Sequence, residues 1–366
     1  MPADSRNRIL VAFGTRPEAI KLAPVIDALR ADPARFDTRV VFTAQHRDLV
    51  EPVLRFFGIA PDDDLDLMRH AQDLSGVMAR VLEAITPIYR DWAPDRVIVQ
   101  GDTTTALAAA MAAHHLRIPV GHVEAGLRTG DRYDPFPEEM NRRLITRLAD
   151  LHFAATEGNR ATLRAEGVDD ASIVVTGNPI IDALGRITAS TSAPSRTADG
   201  IRRIVLTAHR RENFGEPLGE IFRAVNTIVE RYDDVEIVYP MHPNPAVAEA
   251  AGRWLRPHPR LHVVSPMDYI EFVRLMAGAW MILSDSGGIQ EEAPALGVPI
   301  LVMRSTTERE EVIRSGNGRL VGITEDAIVR AAVELLENRE LHASMSRPAF
   351  PFGSGDAARR IVEALG

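Results

Sequence analysis

The chain has 366 residues, 45% of them apolar and 25% charged, which describes a soluble globular protein long enough for two domains rather than one ordinary core. Its 42 basic and 51 acidic residues leave a net charge of -9, so no broad cationic face is expected for nucleic acid. Cysteine is absent, which excludes disulfides, thiolate metal sites and cysteine nucleophiles, and fits a reducing compartment. No apolar run approaches the roughly 20 residues needed to span a bilayer, and the apolar stretch of "MPADSRNRILVAF" is too short for a secretory leader. The expectation is a cytoplasmic protein without membrane or nucleic-acid partners.

In chain order, "RILVAF", "TRVVFTA", "RVIVQG", "PVGHVEAG" and "LHFAAT" read as strands of a first half. "RRIVLTAH", "EIVYPMH", "LHVVSPM", "WMILSDSG" and "PILVMR" read as strands of a second. Segments of helical length separate them, which predicts βαβ units. The fold class is therefore α/β, two Rossmann-like doubly wound domains facing a cleft. The first is expected over residues 1–185, a Ser/Thr/Ala/Pro-rich linker over 186–200 and the second domain over 201–350. A final helix over 351–366 is free to cross back to either domain.

Ligands of open parallel sheets bind beyond the carboxyl ends of the strands, so the turns there are where chemistry is expected. After the first strand, "FGTRPEAIKLAPV" carries Thr15 and Glu18 at capping-box spacing and Pro17 in a helical first turn. Leu22, Val25, Ile26 and Leu29 form the apolar stripe of that helix. Arg16 sits where a helix N-terminus already favours an anion, which suggests a phosphate. Lys21 reads either as a local partner of Glu18 or as a site residue.

The next turns carry acids. Asp102, before the Ala-rich "TTTALAAAM", is either a helix N-cap or a functional carboxylate. Glu124 follows a strand and precedes a glycine that admits close approach. In "DPFPEEMNRR", Pro135 and Pro137 stiffen a loop that delivers Glu138, Glu139 and Arg142 to a helix start, where acids also complement the helix dipole.

In the second half, His209, Arg210 and Arg211 leave a strand together, and histidine suits proton transfer near neutral pH. His242 repeats the strand-then-histidine theme. "LSDSGGIQEEAP" is a small-residue turn opening a helix: the N–H groups over Ser284–Gly288, including Ser286 and Gly287, can cradle a phosphate, and Glu292 is placed one turn on for ribose hydroxyls.

Taken together, "FGTRPEAIKLAP", "TAQHRDL", "GDTTTALAAA", "IPVGHVEAGLRTGDRYDPFPEEMNR", "TGNPIIDAL", "HRRENFG", "DSGGIQEEAP" and "VMRSTTER" resemble the non-hydrolysing UDP-N-acetylglucosamine 2-epimerases, in the family's order. The resemblance implies a glycosyltransferase-B-like pair of domains, usually in a homodimer, that interconverts UDP-N-acetylglucosamine and UDP-N-acetylmannosamine without metal or redox cofactor. It implies Arg16, Ser286, Gly287, Gly288 and Arg309 at the nucleotide phosphates and Glu292 at the ribose. Asp102, Glu124, Glu138 and His209 become the catalytic candidates, with Lys21 and Arg142 ordering the carboxylates. Bacterial relatives also bind a second UDP-N-acetylglucosamine as activator, for which Gln45, His46, Arg210 and His242 match. Asp48, Ala71 and Glu310 depart from the family pattern, Glu310 standing where a proline is usual. Competing readings are a hydrolysing epimerase, a UDP-sugar glycosyltransferase and a non-catalytic UDP-sugar sensor.

Overall fold

The computed structural model describes residues 6–44, 47–68, 73–190 and 200–366, and the chain divides into two compact units, residues 1–185 with 352–366 and residues 186–351. Each unit is a wholly parallel sheet with helices in the connections. The strands are continuous apolar runs because helices cover both faces; Ile9 to Phe13 of β1 (Asn7–Phe13) are all buried.

In the first unit the strand order is β3-β2-β1-β4-β5-β6-β7, with β2 (Phe36–Phe42), β3 (Asp63–Asp64), β4 (Arg96–Gln100), β5 (Val120–Ala125), β6 (Leu151–Ala154) and β7 (Ile173–Val175). The order reverses between β1 and β4, so the turns after those two strands meet at a topological switch point, where this architecture binds ligands. The turn after β1 opens α1 (Arg16–Arg30) and the turn after β4 opens α4 (Thr104–His115). Helix α4 is Ala-rich and buried over most of its length because it lies between α3 (Leu74–Trp92) and α5 (Glu138–Leu148). Small side chains permit that close packing.

The second unit repeats the plan with order β10-β9-β8-β11-β12-β13. Its strands are β8 (Arg202–Thr207), β9 (Val235–Pro240), β10 (Leu261–Val264), β11 (Met281–Ser284), β12 (Ile300–Val302) and β13 (Gly318–Leu320). The switch point lies between β8 and β11, and α11 (Gly287–Ala295) starts beside it.

Three strands were not expected from sequence: β3, β7 and β13, which are edge strands of two or three residues and too short to show a period. The two units part between 185 and 186, as the sequence suggested, but helix α7 (Pro179–Ala189) runs on across that point, with Ile187 fully buried, so the first residues of the expected linker are helical; positions 191–199 lie outside the described residues. The last helix, α15 (Ala357–Ala364), belongs to the first unit and packs against α1. No helix among the described residues is long and apolar enough to cross a membrane.

Two histidines in the first sheet carry a stability cost in acid. His122 is fully buried with Nε2 2.7 Å from the Gly101 carbonyl, and burial pushes it down to about 3; His152, also buried, is pushed down to about 4 by the same cause. Both stay neutral in the fold, whereas the unfolded chain takes up their protons near 6.5. Stability is therefore full above pH 6.5 and falls as the pH drops toward the folded values, by about 2 kcal/mol from His122 alone at pH 5. Urea unfolding at pH 7.5 and pH 5 is expected to show this loss, and His122→Gln to reduce it.

Candidate active site

In the first unit the carboxylates of Glu18 and Glu124 at the switch point are buried, that of Asp102 is partly buried, and each has its own set of donors. Glu18, fully buried, accepts from the backbone N–H of Gly14 (3.1 Å) and Thr15 (2.8 Å), the Thr15 hydroxyl (2.7 Å) and the Thr103 hydroxyl (2.7 Å). Burial pushes its carboxyl above the usual range while these hydrogen bonds pull it back. It ties the turn after β1 to the turn after β4. Lys21 does not pair with Glu18; its Nζ lies 2.5 Å from Glu124 Oε1, both residues being 7% exposed. The local ion pair is thus replaced by one spanning two βα turns, because Glu18 points into the helix entry.

Glu124 lies within the end of β5 rather than beyond it, at an irregularity of the β5–β6 ladder, with φ +65°. A non-glycine residue in this left-handed region costs on the order of 1 kcal/mol, and here it aims the carboxylate at the site. Besides Lys21, Asn178 Nδ2 donates to its Oε1 at 2.9 Å and Gln100 Nε2 donates to its Oε2. Neither amide was singled out from sequence. Gln100 carried a signal, a polar residue closing an otherwise apolar strand; Asn178 did not.

Asp102 is not the N-cap of α4. Thr103 takes that role, accepting from the Ala106 N–H, and leaves Asp102 to receive Arg142 Nη2 at 2.6 Å. Arg142 also lies 3.4 Å from Glu139, and Asn141 Nδ2 holds the Asp102 carbonyl at 2.8 Å. Glu139, fully buried, accepts from the Thr129 N–H and from Arg143, so it is a structural anchor of the loop. Its neighbour Glu138 is half-buried at the first position of α5, directly after Pro137. Arg16, half-buried, is the first residue of α1.

The second unit supplies cations around a helix start. Asp285, fully buried after β11, accepts from the backbone N–H of His209 and Arg210 (both 2.9 Å) and from Asn213 Nδ2 (3.0 Å). This residue, not singled out from sequence, fixes the loop after β8. The His209 and His242 rings stack with centroids 5.2 Å apart, and the Asn244 N–H donates to His242 Nδ1 at 3.2 Å.

At α11, Ser286 is the N-cap, but its N–H donates to Ser284 Oγ at 3.0 Å, so the expected cradle loses that donor. What adjoins the helix start is cationic: a Cβ added at Gly287 would come within 2.6 Å of Arg309 Nη1 and 3.2 Å of Arg210 Nη2. Gly288, the next residue, has open space where its Cβ would stand. Arg309 Nε donates to Glu291 at 2.6 Å, and Glu308 receives Arg309, Arg304 (2.8 Å) and Arg210 (3.5 Å). Burial alone raises the Glu308 carboxyl, but those three guanidiniums hold it well below the carboxylate range. Glu292, 4% exposed, accepts from the Tyr269 hydroxyl at 2.5 Å. At the departure from the family pattern, Glu310 is the first residue of a short helix over Glu310–Arg314 and pairs with Arg314. An acid suits that position as a proline does. Gln45, His46 and Ala71 lie outside the described residues; Asp48 is in the first turn of α2 (Arg47–Phe57).

A family model described as UDP-N-acetylglucosamine 2-epimerase matches residues 27–366. The chain belongs to that family. It is an epimerase, and the resemblance carried by its motifs holds over the whole described fold. The chain is 47% identical over 369 residues to the UDP-N-acetylglucosamine 2-epimerase of Escherichia coli O157:H7, covering 98% of each. It is 45% identical over 360 residues to that of Bacillus subtilis (strain 168), covering 98% of this chain and 94% of the other. The solved UDP-GlcNAc 2-epimerase from Neisseria meningitidis bound to UDP-GlcNAc aligns with TM-score 0.93 at 41% identity, over 98% and 99% of the two chains.

The buried pair gives this epimerase a measurable asymmetry. Lys21→Met leaves Glu124 buried without its cation and is expected to cost about 3 kcal/mol in urea unfolding, whereas Lys21→Met with Glu124→Gln should cost less than the single change.

Proposed function

We propose that the protein interconverts UDP-N-acetylglucosamine and UDP-N-acetylmannosamine by eliminating and re-adding UDP, releasing no free sugar. The C2 proton is not α to a carbonyl and is barely acidic, and the chain has no G-x-G-x-x-G for a transient oxidation. Loosening of the C1–O bond gives C1 oxocarbenium character and acidifies C2–H. A carboxylate takes that proton, the C2–H electron pair forms the C1=C2 double bond, and UDP leaves with the C1–O pair. The intermediate is 2-acetamidoglucal. Protonation of C2 from the opposite face, with a β-phosphate oxygen bonding again to C1, gives the epimer.

The observation that supports this reading is the pair of separately held carboxylates at one switch point, Glu124 with Lys21 and Asp102 with Arg142. Proton removal and return on two faces needs two such groups, one taking the proton from C2 and the other delivering one. Glu138 and His209 complete the proposed acid–base set. The departing diphosphate calls for positive charge, which Arg16 and the Arg309 guanidinium beside Gly287 provide, with Ser286 and Gly288 flanking that helix start. Glu292, held by Tyr269, takes the ribose. We further assign the protein to a cytoplasmic homodimer that supplies cell-surface polysaccharide precursors. A second, activating UDP-N-acetylglucosamine is assigned to Arg210, His242 and the region of Gln45 and His46, the stacked His242 adjoining the proposed catalytic His209.

The roles separate kinetically. Asp102→Asn and Glu124→Gln are expected to lower kcat about 100-fold or more while the UDP dissociation constant, measured by calorimetry, changes less than about threefold. Glu292→Ala should chiefly raise KM and weaken UDP. Equal loss of UDP affinity in all three would contradict the assignment.

A further inference from the structure

Glu124 is oriented by a residue whose own position is set from the far end of the chain. Asn178 lies in the turn between β7 and α7, and three of its bonds matter here. Its Oδ1 accepts from the Ile180 N–H (3.2 Å), its Nδ2 donates to Glu124 Oε1 (2.9 Å), and its backbone N–H donates to the carbonyl of Phe352 (2.7 Å). The first two bonds fix which way the amide is turned, since only Oδ1 can accept and only Nδ2 can donate. The third ties Asn178 to a segment 174 positions later in sequence, which belongs to the same unit.

That segment has no slack. Gly177 and Gly353 both have positive φ, +86° and +109°, and face each other backbone to backbone. A Cβ on Gly353 would stand 2.8 Å from Gly177 Cα, and one on Gly177 would stand 3.0 Å from Gly353 Cα. Real Cβ atoms do not approach backbone so closely, so a side chain here must push the two strands of backbone apart. Phe352 is 3% exposed, which anchors the segment on one side. On the other, the Asp182 carboxylate of α7 accepts the N–H groups of Ala357 (3.2 Å) and Ala358 (3.0 Å) at the first turn of α15. Helix α7 and helix α15 are thus pinned together one turn away from Asn178, with Asn178 between that pin and the site.

We propose that the returning segment Phe352–Gly355 is a positioning device for Glu124, and that Asn178 is the positioning residue through which it acts. None of these groups needs to touch the sugar. Their effect is to hold Oε1 of the carboxylate between Lys21 and Asn178 while Gln100 holds Oε2, so that the group is kept in one orientation. The inference rests on the reading of Glu124 as a proton-transfer group.

The test uses the full chain and reads kcat, KM, the UDP dissociation constant and the acid limb of the kcat–pH profile. Asn178→Ala is expected to lower kcat about tenfold or more with UDP affinity unchanged within about twofold, because a small misplacement of a catalytic group is costly while the nucleotide contacts lie elsewhere. It should also move the acid limb to higher pH, since loss of a donor to a carboxylate favours its protonated form. Gly353→Ala should reproduce both changes, and the Gly353→Ala, Asn178→Ala double variant should be no slower than Asn178→Ala. Should Gly353→Ala not fold, Asp182→Ala loosens the same segment without adding a side chain and is expected to shift kcat and the acid limb in the same direction. A wild-type kcat and acid limb in Asn178→Ala would overturn the role of Asn178. The same result in the folded segment variant, or full additivity in the double variant, would overturn the role of the return segment. Wild-type turnover in Glu124→Gln would instead defeat the reading of Glu124 itself.

Discussion

Charge that is buried must be matched, and the first unit is organised around one such match, the Lys21–Glu124 pair. An ion pair taken out of water gains little net stability, but removal of either member leaves a costly orphan. Lys21 comes from the helix after β1 and Glu124 from the end of β5, so the pair constrains two elements on the two sides of β4. Its geometry is not left to attraction alone. The amides of Gln100 and Asn178 hold the carboxylate as well, and the left-handed backbone at Glu124 supplies the aim. Glu18 performs a related task without a cation, joining the turns after β1 and β4 through hydroxyl and backbone donors.

The second unit solves a different electrostatic problem on the same topology. There the acids serve the cations: Glu308 gathers Arg210, Arg304 and Arg309, and Asp285 fixes the loop that carries His209 and Arg210. Guanidiniums arranged in advance beside a helix N-terminus lower the cost of receiving an anion, because they need not be ordered when it arrives. The same topology thus carries buried carboxylates with their donors in one unit and a cluster of guanidiniums beside a helix start in the other.

Much of this was legible in the sequence because each βα turn follows an apolar strand and precedes a helical period. The strand cores, the turns and the charged residues in them, Arg16, Lys21, Asp102, Glu124 and His209 among them, could be read in order. What spacing alone could not decide was pairing. Lys21 read either as a partner of Glu18 or as a site residue, because helical spacing is visible and the 103 positions separating Lys21 from Glu124 are not; only the family resemblance set it with the carboxylates. Asp102 looked like a cap because the adjacent Thr103, which wins that role, is chemically equivalent for it. Asn178, Asp285 and Glu308 were passed over for the same reason: their importance lies in what the fold brings to them, and the segment that steadies Asn178 comes from the chain's other end. The three short edge strands escaped because two or three residues carry no periodicity.

The central claim is that the C2–H bond breaks as UDP leaves C1 and is remade with a solvent-exchangeable proton. Proton NMR of UDP-N-acetylglucosamine incubated with the protein in deuterated water tests it in one sample. The account predicts signals of UDP-N-acetylmannosamine, loss of the C2 proton signal from both sugars as deuterium enters, and no accumulation of free N-acetylmannosamine. An unchanged spectrum, or epimer formed with the original C2 proton retained, would contradict it.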